Sequence, residues 1–199
     1  MATRLDAPTT YSEAMARPDG KKWHGSTIKE VQTLEKNNSW SYVLKSQIPK
    51  HIKILPSRFV YRIKFNRLGE ILKYKCRLVV KGFAQRFGED FFATFAPVAQ
   101  LASLRTLLVI CAQYRLKTFH IDFESAFVQS EVEEEIYTSF PDDYEQYDEN
   151  GNKLYLKLNK SLYGLKQAPR NWNVKLTKWL LDYGFQQSAV DPCFFFYKQ

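Results

Sequence analysis

From Trp23 to Asn37 the apolar positions Ile28, Val31 and Leu34 recur at helical spacing, and Asn37-Asn38 ends the pattern before a short apolar stretch from Trp40 to Leu44. This predicts a helix followed by a strand. Ser57 to Asn66 (SRFVYRIKFN) and Ile71 to Lys81 (ILKYKCRLVVK) alternate apolar with basic residues about a short turn containing Gly69, the pattern of a β-hairpin with one basic face. Beyond Pro97, Leu104, Leu107, Leu108 and Cys111 share one helical face between Ser103 and Tyr114, with Ser103 as the expected N-cap. A strand is expected over Lys117 to Asp122 and a hairpin in the regions of Ile136 and Leu154 to Leu158. A helix from about Pro169 to Tyr183 follows, with Trp172, Leu176 and Trp179 expected in the core, then a strand from Cys193 to Tyr197. Mixed helices and strands with prominent hairpins predict an α+β fold. Residues 1–22, with Pro8, Pro18 and Gly20, read as a loose lead-in to a single unit over residues 23–199.

A chain of 199 residues, 45% of them apolar and with 15 Phe, 12 Tyr and 4 Trp spread along it, has the composition of a globular protein able to bury one sizeable core. Cys76, Cys111 and Cys193 stand singly, without zinc-site or disulfide spacing, and are expected to be buried thiols in a reducing compartment. No apolar run approaches the ~20 residues that cross a bilayer, and MATRLDAPTTYSEAM lacks the apolar stretch of a secretory signal, so an intracellular protein without membrane contact is expected.

The net charge of +8 is segregated. Lys45 to Arg86 carries twelve Lys and Arg against one Glu, Asp122 to Glu149 eleven Asp and Glu with no base, and Lys153 to Lys178 seven bases with no acid. Clustered cations suit a phosphate backbone and clustered carboxylates suit divalent metal, so a metal-dependent nucleic-acid enzyme would want both. On charge alone, solvated surface explains the runs equally well.

The motifs are more specific. YKCRLVVKGFAQRFGEDF (Tyr74 to Phe91) with TFAPVA (Thr94 to Ala99), HIDFESAFVQSEVEEEIY (His120 to Tyr137), KLNKSLYGLKQAPRNW (Lys157 to Trp172) and GFQQSAVDPCFF (Gly184 to Phe195) follow one another in fixed order. Together they resemble the fingers and the first palm motifs of copia-type (Pseudoviridae-like) retrotransposon reverse transcriptases. Trp23, Glu30, Leu34, Asn37 and Trp40 also stand at that family's spacing. Departures are mild: Ser26, Cys76 and Val80 stand where Ala is usual, Ser130 where Gly is common, and His120 where the family has another polar residue.

The resemblance implies a right-hand polymerase fold with fingers and an incomplete palm, and RNA-directed DNA polymerisation by two-metal nucleotidyl transfer on Mg²⁺. Asp122 matches the first metal-binding aspartate, with the backbone carbonyl of Phe123 as a further ligand, although an Asp ending a strand is otherwise a cap or turn residue. Phe127 matches the aromatic beneath the incoming sugar, a position that core packing explains as well. Tyr163, Gly164, Lys166 and Gln167 resemble the loop that contacts nucleotide and template base, with a turn capping the following helix as the alternative. On the hairpin, Lys64 and Arg77 are expected to grip the triphosphate. Lys53, Arg58, Arg62, Lys75 and Lys81 are expected to contact template phosphates more loosely or to face solvent.

The family's other two carboxylates come from a Tyr-x-Asp-Asp hairpin a little beyond the Cys-Phe-Phe strand, and this chain stops at Gln199, before it. Asp142-Asp143 follows Pro141 in a loop and reads as a solvated turn. The isolated chain is therefore expected not to polymerise. Implied partners are an RNA or DNA template-primer, deoxynucleoside triphosphates and the integrase and RNase H regions of a Pol polyprotein, in a cytoplasmic virus-like particle. A different class of reading is a catalytically inactive remnant that at most binds nucleic acid through its basic hairpin. An unrelated basic structural protein would account for the charge but not for the motifs.

Overall fold

The computed structural model describes residues 6–197, a mixed α+β arrangement. Helix α1 (Tyr11–Ala16) and helix α2 (Gly20–Lys36) lead into β1 (Trp40–Leu44), β2 (Ile54–Leu55), β3 (Ser57–Phe65) and β4 (Ile71–Val80). Helix α3 (Leu101–Gln113), β5 (Tyr137–Thr138), β6 (Leu154–Leu158), helix α4 (Ala168–Asp182), β7 (Gln186–Gln187) and β8 (Phe195–Phe196) follow. The strands pair in the order β1-β6-β5-β2, with β3-β4 and β7-β8 as separate two-stranded ribbons. Among the described strands β2 and β5 run parallel, and the other strand pairs are antiparallel.

Period-two alternation dictates the β3-β4 ribbon. Phe59 opposite Leu78 and Tyr61 opposite Cys76 face the core, while Arg58, Arg62, Lys64, Lys73, Lys75 and Arg77 occupy the intervening positions, which gives the expected basic face. Its turn is closed by Asn66, whose side-chain oxygen accepts from the backbone N–H of Leu68 and Glu70, both at 2.9 Å. Helix α2 buries Trp23, Thr27, Val31 and Leu34, spaced four, four and three apart, against this ribbon. Asn38 then takes a left-handed φ of 52° while Ser39 N–H donates to the Leu34 carbonyl at 3.0 Å, ending the helix where the Asn-Asn pair predicts.

Six expectations are corrected. The lead-in is not loose over its described part, and its first five positions lie outside the described residues. Helix α1 is capped by Thr10, Ser12 N–H donates to Asp143 at 2.7 Å, and Ala14 lies in the core. Asp143 therefore ties down the N-terminal segment, which a solvated turn would not do. Helix α3 begins at Leu101 with Gln100 as N-cap, so Ser103 is inside the helix. The reason is a distant group: Asp191 accepts from the Gln100 N–H at 3.0 Å.

Lys117 to Asp122 forms no strand, and Phe119 and Ile121 are 86% and 75% exposed. An alternating segment becomes a strand only beside a partner, and no described strand lies next to this one. Trp172 and Leu176 are half-buried and Trp179 is 57% exposed; the buried cluster instead joins Trp23 and Leu34 of α2 to Trp40, Leu55, Phe59, Leu78, Ile136, Phe140 and Leu156. Of the cysteines only Cys76 is buried, and burial pushes its thiol up to about 12; Cys111 and Cys193 are half-buried.

Glu131 ties the segment before β5 to the segment after β6, with its carboxylate 2.6 Å from the Lys160 ammonium and 3.3 Å from that of Lys175 on α4. The Lys160 hydrogen bond, aided by Lys175, holds the Glu131 carboxyl down at about 2, against an ordinary value of 4.5. A depressed folded-state value stabilises above pH 4.5, and that contribution is lost as pH falls from about 4.5 to about 2. Because the Glu131 side chain is 61% exposed, solvent screening keeps the effect small. Glu131→Gln is expected to cost under ~1 kcal/mol at pH 7. Urea melts across pH should show that difference vanishing toward pH 2.

Candidate active-site cleft

A cleft of about 370 Å³ opens between α2, the basic face of β3-β4 and the segment that follows α3. Lys64, Lys73, Lys75 and Arg77 line one wall, Asp122, Phe123, Glu124 and Ser125 another, Lys29, Glu30 and Thr33 of α2 a third, and Tyr163 completes it. Hairpin alternation delivers the bases, since every second residue of β4 points to this face. The carboxylate wall is set by Ser125, whose left-handed φ of 51° turns the chain into a short 3₁₀ turn over Ala126–Gln129 that carries Phe127. Phe123 leans against Trp172 with ring centroids 5.1 Å apart.

Charge in the cleft is crowded. Burial, then the neighbouring Arg77, Lys64 and Lys73, hold the Lys75 ammonium below its ordinary value, with Glu30 opposing. Glu30 is itself pushed up, chiefly by burial, although its carboxylate accepts from the Leu78 N–H at 3.3 Å and faces Arg77 and Lys75. Among the described residues Arg77 forms no ion pair, and its buried Nε has no hydrogen-bond partner. A cleft with more cations than they have acid partners is a place for an anion.

The chain matches the reverse transcriptase (RNA-dependent DNA polymerase) family over residues 37–198. It belongs to that family. It is 35% identical over 190 residues to the retrovirus-related Pol polyprotein from transposon TNT 1-94 of Nicotiana tabacum, 95% of this chain and 14% of that one. It is 33% identical over 195 residues to the Pol polyprotein from transposon RE1 of Arabidopsis thaliana, 98% of this chain and 13% of the relative. Similarity to the transposon Ty1-DR5 Gag-Pol polyprotein of Saccharomyces cerevisiae is 27% over 182 residues, 89% of this chain and 10% of the relative. The chain thus spans about a seventh or less of the length of these Pol polyproteins. No solved structure matches it.

Within this reverse transcriptase domain, six expected site residues line the cleft together: Lys64, Lys75, Arg77, Asp122, Phe123 and Tyr163. Phe127 lies outside it, in a neighbouring groove with Thr94, Pro97 and Trp172, but packs on Tyr163 at 5.3 Å between centroids. Gly164, Lys166 and Gln167 do not line the cleft. Gly164 sits at φ +92° against the β4 backbone, and Lys166 places its ammonium 4.6 Å from the Phe91 ring centre. Gln167 is buried, donating to the Asp90 carbonyl at 2.8 Å and the Glu134 carboxylate at 3.1 Å and accepting from Gln85 at 3.0 Å. That network fastens the loop after β4 to the loop before α4. Lys53 donates to the Ala84 carbonyl at 3.0 Å, Arg58 and Lys81 border a depression beside Thr9 to Ser12, and Arg62 is exposed.

Sequence reasoning missed Glu30, Lys73 and Ser125 as cleft residues. The alternation of β4 already put Lys73 on the same face as Lys75, Ser125 stands three residues from Asp122 in the same motif, and Glu30 had only its spacing to mark it. Among the described residues no three His, Cys, Asp or Glu side chains come together, so Asp122 and Glu124 do not by themselves fit the ligand set that two Mg²⁺ ions would need. No helix among the described residues is long and apolar enough to cross a membrane.

Proposed function

We propose that residues 23–199 are the fingers and first part of the palm of a right-hand RNA-directed DNA polymerase, acting within a Pol polyprotein that includes integrase and RNase H regions. The observation that carries this reading is the cleft in which Asp122 and Phe123 face Lys64, Lys75 and Arg77. Cations on a strand pair and a carboxylate opposite them suit a nucleoside triphosphate between phosphate-binding bases and a reacting centre. Asp122 would supply one carboxylate, and the Phe123 carbonyl a further oxygen, to a two-metal nucleotidyl-transfer centre whose other carboxylates are expected from a downstream Asp-Asp hairpin. Phe127 discriminates the sugar, Lys166 and Gln167 support the nucleotide loop from behind, and Lys53, Arg58, Arg62 and Lys81 meet template phosphates of an RNA or DNA template-primer. The setting is a cytoplasmic virus-like particle.

Mg²⁺-dependent primer extension on an RNA template tests this, comparing residues 1–199 with a polypeptide continued downstream through the rest of the polymerase and RNase H. Extension by the longer polypeptide alone, abolished by Asp122→Asn, is the expected result. Incorporation by residues 1–199 would remove the argument that the centre is incomplete. Inactivity of both would favour an inactive remnant whose surviving role is nucleic-acid binding.

A further inference from the structure

Tyr163 stands between two groups that the proposed reaction needs. The Arg77 guanidinium carbon lies 4.7 Å from the centre of its ring. The Phe127 ring meets the same side chain at 5.3 Å between centroids, inclined by 66°. The backbone beneath is fixed: the Tyr163 carbonyl accepts from the Val80 N–H at 2.8 Å, three residues from Arg77 on β4. Gly164 follows at φ +92° with no room for a side chain.

Arg77 lacks an acidic partner among the described residues, and the carboxylate of Glu30, which faces it, is bonded to the Leu78 N–H. The Arg77 Nε is buried and unpartnered. A buried donor without a partner costs stability unless something fills it, and a guanidinium carried over an aromatic ring by a cation–π contact can still offer its N–H donors to an oxyanion.

We infer that Tyr163 is a positioning residue whose one ring supports both the Arg77 guanidinium that receives a nucleoside triphosphate's phosphates and the Phe127 ring that faces its sugar. Phosphate grip and sugar discrimination then depend on a single side chain that need not touch the nucleotide. This rests on the polymerase reading above.

The test has two arms. In the 199-residue chain, nitrogen-15 spectra of the arginine side chains are followed while inorganic tripolyphosphate is added. The Arg77 Nε–H signal is expected to shift. Tyr163→Leu should weaken binding about two- to thirty-fold, the span of cation–π contacts from exposed to desolvated, and Tyr163→Phe should restore it.

In the longer polypeptide, Tyr163→Leu should raise KM for deoxynucleotides by the same factor, change kcat less, and lower the preference for deoxynucleotides over ribonucleotides. Tyr163→Phe should restore all three. Should Tyr163→Leu not fold, Arg77→Lys takes its place: it keeps the charge, loses the planar guanidinium that Tyr163 supports, and is expected to move both phosphate binding and sugar preference.

The inference is overturned if the Arg77 signal ignores tripolyphosphate, if Tyr163→Phe is as damaging as Tyr163→Leu, or if phosphate affinity changes while sugar preference does not. Failure of the longer wild-type polypeptide to extend any primer would count against the polymerase reading. The Arg77 response in the shorter chain would then still decide the phosphate half.

Discussion

Gly164→Ala is expected to destabilise the protein by ~3 kcal/mol or more. A methyl group there would sit 2.0 Å from the Val80 carbonyl oxygen and 2.7 Å from a Val79 methyl, at a φ of +92° that L-residues rarely adopt. The obstruction is backbone and cannot swing aside. Gly82 faces it from the other chain segment, where an added Cβ would lie 2.0 Å from the Gly164 carbonyl oxygen. The two glycines thus mark one close crossing between the end of the basic ribbon and the loop that leads to α4. Gly82→Ala should cost a similar amount, and the double variant less than the sum, since both force the same two backbones apart. Equilibrium urea unfolding of the three variants checks this. A loss below about 1 kcal/mol for Gly164→Ala, the ordinary range of a surface change, would mean that the crossing is not tightly held.

That crossing also shows how far the sequence could be read. The motif containing Gly164 points to a loop whose backbone approaches the nucleotide. What it approaches is β4, and only the three-dimensional arrangement identifies the partner. The basic ribbon was legible because its period of two is unbroken from Ser57 to Val80 apart from one irregularity near Lys64 and Phe65, and the same period placed Arg77 and Lys64 on one face. Helix α2 was legible through its apolar spacing and its Asn-Asn stop.

Lys117 to Asp122 was misread because a strand pattern carries no information about whether a neighbour is there to pair with it. Ser103 was misassigned as N-cap because the group that fixes the start of α3 at Gln100, Asp191, lies 91 residues from it. Glu30, noted only for its spacing, was not read as a cleft residue for the same reason: a helix residue reaches the cleft only because α2 crosses β4. Among the cleft residues, those read correctly come from motifs whose spacing is local, Lys73 and Ser125 lie within reach of the same local patterns, and Glu30 is brought in by packing between segments distant in sequence.

The choice of core residues admits a direct comparison. Trp23→Ala is expected to cost ~3–5 kcal/mol, while Trp179→Ala should cost under about 1. Trp23 is fully buried on α2, edge-on to Tyr61 at 5.3 Å and to Tyr74 at 4.6 Å between centroids, and so joins the helix to both strands of the basic ribbon. Its removal would leave a cavity bounded by side chains that their own strand pairing holds in place, so the site cannot easily collapse. Trp179 lies on the exposed side of α4, stacked on Tyr183 at 5.8 Å, and loses little apolar burial when truncated.

Both tryptophans occupy apolar positions in helices of similar amphipathic pattern. The pattern says which face is apolar, and packing decides which apolar face is covered. Urea melts of the two variants would separate these cases, and equal losses would show that α4 contributes to the same cooperative core as α2. Because α2 also places Glu30 at the cleft wall, Trp23→Ala should loosen that wall along with the fold. Anion binding measured with tripolyphosphate should therefore fall in Trp23→Ala at urea concentrations that leave Trp179→Ala unaffected.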